Sequence, residues 1–374
     1  MKSVRFLLPL LLLLCTFSLC GCTSKEEKKI EDAVKQELDQ LKDLDSITTQ
    51  KYISYQELFP GEPEDITISS DIEEVFSLFF QDFDYKILDV NVDKDKQSAQ
   101  ANLRLVTLDA HALAEDFSKA QLKHEISQSA SSEEATEQTI SLEERYTLLN
   151  ELLNDYQTVE RNCTISLDAS NKDGETSWEI RRTNTLENDL VGGLMNDLTD
   201  PDILSPEDTI LVYLNTLKNM SAEELGNYLN ADSIISTEDP AKISLAEALV
   251  KQVHSTFDYS IGETTVSGYT ATVTANITTF DSDAILENYQ KELDSYLASV
   301  DAVIDGAQKR YEKSYSLLLE YIEENTATKT VETTFTLIND GASWKLEDAG
   351  TVFGQALFGT LSSSPVEDKQ ETNG

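Results

Sequence analysis

Cysteine, histidine and basic charge are all in short supply in this 374-residue chain. The four cysteines lie at 15, 20, 22 and 163. Beyond residue 22, Cys163 therefore has no partner for an internal disulfide, and the fold must rest on ordinary core burial. Cys163 alternates with Val159, Ile165 and Leu167 in a strand-like run, which reads as a buried apolar thiol and not a nucleophile. His111, His124 and His254 each fall on an expected helix among charged residues, with no neighbour at metal or catalytic spacing. No Gly-x-Ser-x-Gly elbow, phosphate-cradling glycine loop or His-Glu-x-x-His run occurs, so hydrolase and nucleotide chemistry have no motif behind them. With 29 Lys and Arg against 69 Asp and Glu, the formal net charge is −40. Such a field excludes nucleic acid as a partner, since phosphate backbones need positive charge, and marks a solvated exterior.

Long apolar runs are missing too. The run from Phe6 to Leu14 is interrupted by Pro9 and falls short of the roughly 20 residues a spanning helix needs. Lys2 and Arg5 precede it, and Leu19-Cys20-Gly21-Cys22 closes it. That order resembles the bacterial lipoprotein signal, with Cys20 standing where Ala, Ser or Thr is commoner. The resemblance implies a signal peptide over 1–21, cleavage between Gly21 and Cys22, and a diacylglyceryl group on Cys22. The protein would then be anchored at the outer face of the cell membrane, because two acyl chains give the stable attachment that one cannot. An ordinary secretory signal with incidental cysteines is the alternative. The charged run Lys25-Glu26-Glu27-Lys28-Lys29 suggests a tether, with 22–27 as a lipidated linker.

About 350 residues remain, and domains of roughly 100 to 200 residues predict two of them. Laid on itself, the chain matches Phe83-Asp84-Tyr85-Lys86-Ile87 to Phe257-Asp258-Tyr259-Ser260-Ile261, an offset of 174 (257 − 83). The same offset pairs Ala101-Asn102 with Ala275-Asn276 and Asp109-Ala110 with Asp283-Ala284. Tyr146-Thr147-Leu148-Leu149 matches Tyr315-Ser316-Leu317-Leu318, and Ser177-Trp178 matches Ser343-Trp344. Order is kept throughout, which predicts two homologous halves over 28–200 and 201–361, with a disordered tail over 362–374.

The second half shows the pattern most clearly. Ser205 caps a helix with Pro206 at its first position, and Ser221 to Glu224 opens another with capping-box spacing. A third helix is expected from about Ala241 to His254. Phe257, Tyr259 and Ile261 then alternate as a strand, and Ala271, Val273, Ala275 and Ile277 alternate against an outer face of Thr270, Thr272, Thr274 and Thr278. From Asp283 to about Asn325 apolar residues recur in near-heptad steps, Val300 and Val303 among them, with Asp305-Gly306 as the turn of a helical hairpin. Its counterpart runs from Asp109 to Tyr156. A last strand pair turns at Asn339-Asp340-Gly341, and Val352, Phe353, Leu357 and Leu361 form a closing stripe, matched by Leu186, Leu190, Leu194 and Leu198.

The expected class is α+β: two homologous domains of N-terminal helices plus an antiparallel curved sheet, with a long helical hairpin inserted between strand pairs. Three helices followed by strands that can curl around the first resemble the cone fold of the nuclear transport factor two superfamily. The layout is also similar to that of small Gram-positive lipoproteins. The cone resemblance implies a pocket at the open end, with an Asp or His as general base in the enzymes of that superfamily. Asp84 and Asp258, beside Tyr85 and Tyr259, are the only candidates for that role, and strand alternation points them toward solvent. Asp168 to Glu175 fails as a calcium loop: with Gly174 at the sixth position, Ala169 and Ile180 would fill the first and twelfth.

No cofactor, metal site or enzymatic activity is expected. The leading expectation is a non-catalytic binding or interaction module whose partners are the membrane and a cell-envelope protein. The alternatives are a receptor for a small apolar ligand in a cone pocket and an acid–base enzyme of that fold.

Overall fold

The computed structural model describes residues 24–53, 58–59, 75, 77–93, 95, 97–131, 140–153, 156–172, 175–229 and 240–363. Gly21 and Cys22, most of the expected tail and the Asp173-Gly174 turn lie outside them. By backbone contacts the chain divides into two compact units, one of residues 1–113 and 149–196, the other of 114–148 and 197–374.

The first unit opens with α1 (Lys25–Lys42) and α2 (Ser46–Tyr52). Ser24 and Glu27 form a reciprocal capping box, so the charged run expected to be a tether is instead the first five residues of α1. The reason is amphipathy: Ile30, Val34, Leu38 and Leu41 recur at helical spacing and are fully buried. Each such side chain contributes roughly 1.5–3 kcal/mol of burial. That stripe packs across an antiparallel sheet of β1 (Asp84–Asp93), β2 (Ser98–Leu108), β3 (Thr158–Lys172) and β4 (Glu175–Ile180). Helices α3 (Ala110–Ser131) and α4 (Leu142–Leu153) are inserted between β2 and β3, and α5 (Asn184–Leu190) and α6 (Leu194–Leu198) follow β4.

The second unit repeats that order. It has α7 (Pro206–Asn219), α8 (Ala222–Tyr228), α9 (Pro240–Thr256), β5 (Asp258–Ser267) and β6 (Thr270–Phe280). Helices α10 (Ser282–Leu297) and α11 (Val300–Glu323) come next, then β7 (Thr328–Asn339), β8 (Trp344–Leu346) and α12 (Ala349–Phe358), ending in a 3-10 turn over Gly359–Ser363. Its sheet runs β5-β6-β7-β8. Ala271, Val273, Ala275 and Ile277 face inward, and Thr270 and Thr272 are exposed, as the alternation predicts. The segment 114–148 clusters with this unit and not with the 28–200 half. Ile126 and Ala130 of α3 join its core beside Leu214, Leu249 and Phe280.

Corresponding positions run through both units. Val34, Leu38 and Leu41 sit 176 residues before the buried Ile210, Leu214 and Leu217 (210 − 34), and β1 precedes β5 by 174 (258 − 84). Both edge strands are bulged, between Ile87 and Asp89 and between Ile261 and Thr264. Two of the sequence matches are out of structural register. β2 aligns with β6 at an offset of 172 (270 − 98), because four residues connect β1 to β2 and two connect β5 to β6. Ala275 therefore occupies the place of Leu103, not Ala101, and Asp281, not Asp283, corresponds to Asp109 as the carboxylate leading into the inserted helix. Trp178 and Trp344 do correspond, each in the last strand.

The expected cone is not what these sheets form. Among the described residues the strands succeed one another in plain chain order, and none returns to close a mouth around the first helix. The inserted hairpin of the second unit also differs from expectation. Leu297 ends α10, Ser299 caps α11, and Gly306 breaks α11 at φ 72° and ψ 179°. Residues 300–305 thus form a short helix at the summit, and the reversal is not a single Asp305-Gly306 turn.

Candidate functional site

The first place to look is where α1 meets β1. Lys42, in the last turn of α1, donates to Asp84 Oδ1 at 2.7 Å, and the Tyr85 hydroxyl donates to Asp39 Oδ1 at 2.7 Å. The second unit builds the same figure: Lys218 donates to Asp258 Oδ1 at 2.6 Å and stands 5.7 Å from the Tyr259 ring centre, and Tyr259 hydrogen-bonds Asn215. A helix with its apolar stripe on the sheet carries its flanking polar residues over the first strand, and this brings each group together.

The electrostatics of these aspartates run against acid–base catalysis. Both carboxylates are exposed. The lysine hydrogen bond, aided by the backbone N–H of the following tyrosine, holds Asp84 and Asp258 below the ordinary aspartate range. A general base poised near neutrality needs the opposite shift. Their ion-pair contribution to stability is present above the unfolded-state value of 3.8 and is lost as pH falls through the lowered folded values.

Beside Asp84 lies a cleft of about 400 Å³ lined by Glu31, Lys35, Asp39, Lys42, Asp84, Tyr85 and Ile87. A second, of about 320 Å³, lies against Asn91, Asp93, Gln100, Ser166 and Arg181. Both are lined mainly by polar and charged groups and suit no apolar ligand.

The histidines do not converge. His111 and His254 are exposed, and His124 stands 3.7 Å from Glu144. Among the described residues no group of His, Cys, Asp and Glu is placed to hold a metal ion, and no helix is long and apolar enough to cross a membrane.

Cys163 is buried on β3. Burial, with the Asp189 carboxylate beside it, pushes its thiol up to about 12. Only the thiolate is a competent nucleophile. Alkylation of Cys163 by iodoacetamide at pH 8 is expected to be undetectable in the folded body and rapid in denaturant, with Cys22 acylated or replaced by alanine. Rapid native labelling, read by peptide mass, would contradict that burial.

The most unusual surface is the summit of the α10–α11 hairpin. Leu297 is 48% exposed, Val300 74%, Val303 81% and Ile304 74%, whereas Ala302 between them is 2% exposed. The small residue faces inward and the large aliphatics face outward, the reverse of what folding alone selects. The near-heptad spacing of Val300 and Val303 suggested core positions. Two signals pointed the other way: the Ser299 cap restarts the helix and Gly306 ends it, so the apolar period does not run continuously across 298–306.

No protein-family model matches the chain, and no curated protein matches it significantly. Among solved structures it is similar to a Bacillus subtilis protein, ycdA, provisionally designated a lipoprotein. The two are 12% identical with a TM-score of 0.29, over 74% of this chain and 96% of the other. So distant a likeness decides neither fold nor function.

Proposed function

We propose that this protein is an extracytoplasmic lipoprotein, anchored through Cys22, whose two sibling α+β lobes form a non-catalytic binding module. The residues from Lys2 to Cys22 support the anchor. Matching strand order, paired bulges and the twin Lys–Asp–Tyr groups support descent from one duplicated lobe. The observation that carries the binding role is the aliphatic summit at Leu297, Val300, Val303 and Ile304, which exposes apolar area that an isolated fold has no reason to keep in water. Its natural complement is an apolar recess on a cell-envelope protein.

A photoreactive phenylalanine at Val303 is expected to yield a discrete cross-linked envelope protein in living cells, while the same probe at Thr334 on the outer sheet face gives none. With the probe kept at 303, Val300→Asp with Ile304→Asp should abolish the adduct and change stability by no more than about 0.5 kcal/mol, as substitutions at exposed positions do. Equal cross-linking from both positions, or an adduct that survives the double aspartate variant, would sink the assignment.

A further inference from the structure

We infer that the protein has no slack between its lipid and its fold, so that the exposed start of α1 lies directly on the bilayer and meets anionic phospholipid headgroups. This rests on the lipoprotein reading and adds where the body stands relative to the membrane. Only Thr23 separates Cys22 from Ser24. Two residue steps extend at most about 7 Å. Ser24 is already committed to the fold: its hydroxyl accepts from Glu27 N at 3.1 Å, and its own N–H donates to Glu27 Oε2 at 2.7 Å. Six residues later Ile30 is fully buried against the first unit. A flexible tether would need residues free of such commitments, and here there is room for none.

The face that α1 turns outward supports this placement. At 100° per residue, Lys25, Lys28 and Lys29 fall within a sector of about 100° opposite the buried stripe, and all three are exposed. Glu26 lies outside that sector, Glu27 falls on the side of the buried stripe, and over residues 25–32 one acid, the exposed Asp32, shares the sector with the three lysines. Cations at the start of a helix oppose its dipole, so helix stability does not select for these lysines. In a chain with 29 basic residues against 69 acidic ones, three lysines within seven positions of the anchor call for a local negative partner. Headgroup phosphates within a Debye length of about 8 Å supply one. Lys29 Nζ also donates to the Thr176 carbonyl at 3.2 Å, which holds its ammonium beside the start of β4.

The test compares full-length protein in vesicles of anionic phospholipid with the soluble Cys22→Ala variant. Each is treated briefly with a membrane-impermeant amine reagent and read by peptide mass. The mass of the N-terminal peptide first shows whether Cys22 carries the lipid, which decides the lipoprotein reading separately. With lipid present, labelling of Lys25, Lys28 and Lys29 should fall several-fold in the vesicle-bound form, while Lys309 and Lys313 label equally in both. A Gly-Ser spacer of about twelve residues inserted between Thr23 and Ser24 lengthens the connection by about 20 Å and should restore labelling. Equal labelling of the three lysines in both forms, with the lipid demonstrably attached, overturns the inference. A lipid-free N-terminus overturns it together with the reading beneath it.

Discussion

Replacing Arg182 with alanine is expected to destabilise the protein by about 1–3 kcal/mol, the range for losing a charged hydrogen bond to a buried partner. The partner is Glu187 in α5, whose side chain is only 4% exposed and which pairs with the Arg182 Nε. Thr183, which caps α5 by accepting from Leu186 N at 3.2 Å, fixes the turn that carries the arginine over the carboxylate. Arg182 and Glu187 also act on the Tyr52 phenol, which donates to Glu37 Oε1 at 3.0 Å; burial with these neighbouring acids raises its ionisation above the usual tyrosine value. Removing the guanidinium leaves the buried Glu187 carboxylate without this counter-charge, while Glu37 keeps Lys51; Arg182 is itself 45% exposed, so water screens part of the loss. Arg182→Lys keeps the charge but loses the planar fork, and should fall between the two. The measurement is the urea midpoint at unchanged slope. A loss for Arg182→Ala below about 1 kcal/mol would mean the pair behaves as an ordinary surface contact.

Gly192→Ala is expected to cost about 3 kcal/mol or more, from two causes that add. Gly192 has φ +72°, where a Cβ is strained. An added Cβ would also stand 2.7 Å from the Leu108 carbonyl oxygen and 3.1 Å from both Ala110 Cβ and Thr107 Oγ1. Backbone at the end of β2 cannot step aside as a flexible side chain can. Gly306→Ala removes the contact contribution: its φ is also +72°, at ψ 179°, but nothing lies within 4 Å, so it should lose only conformational strain, about 1–3 kcal/mol. Similar losses for the two variants in thermal or urea unfolding would show that the close approach at Gly192 is absent. Gly359 occupies the corresponding place in the second unit, where a Cβ would meet Ser282 Oγ at 2.5 Å.

Local signals read well in this sequence wherever the deciding forces were local. Ser205 with Pro206 and Ser221 with Glu224 announced α7 and α8, because a capping side chain acts within one turn. The β6 alternation reported its own two faces. The readings that failed depended on partners distant in sequence. Lys25 to Lys29 looks like a charged linker until Ile30 and Val34 find the sheet. The match of Ala101-Asn102 to Ala275-Asn276 ignored a connection two residues shorter, which shifts every later pairing. The membership of 114–148 in the second unit's core has no sequence signature, since Ile126 and Ala130 look alike whichever surface they cover. For the candidate site, Asp84 and Asp258 were visible as a repeat, but their lysines lie 42 and 40 residues earlier and only folding brings them together. Arg182 and Glu187 gave no signal at all beyond being charged residues near a helix start.

The paired bulges matter beyond the shape of the strands that carry them. Edge strands present unused backbone groups and invite a neighbouring molecule to extend the sheet. Here β1 and β5 are each kinked, and the opposite edges, β4 and β8, are six and three residues long. The proposed lipid on Cys22 would concentrate the protein in two dimensions, where it meets its copies far more often than in free solution. With no straight template on offer, such crowding leaves its sheets unable to grow into one another, and high surface density does not become a route to insoluble fibres.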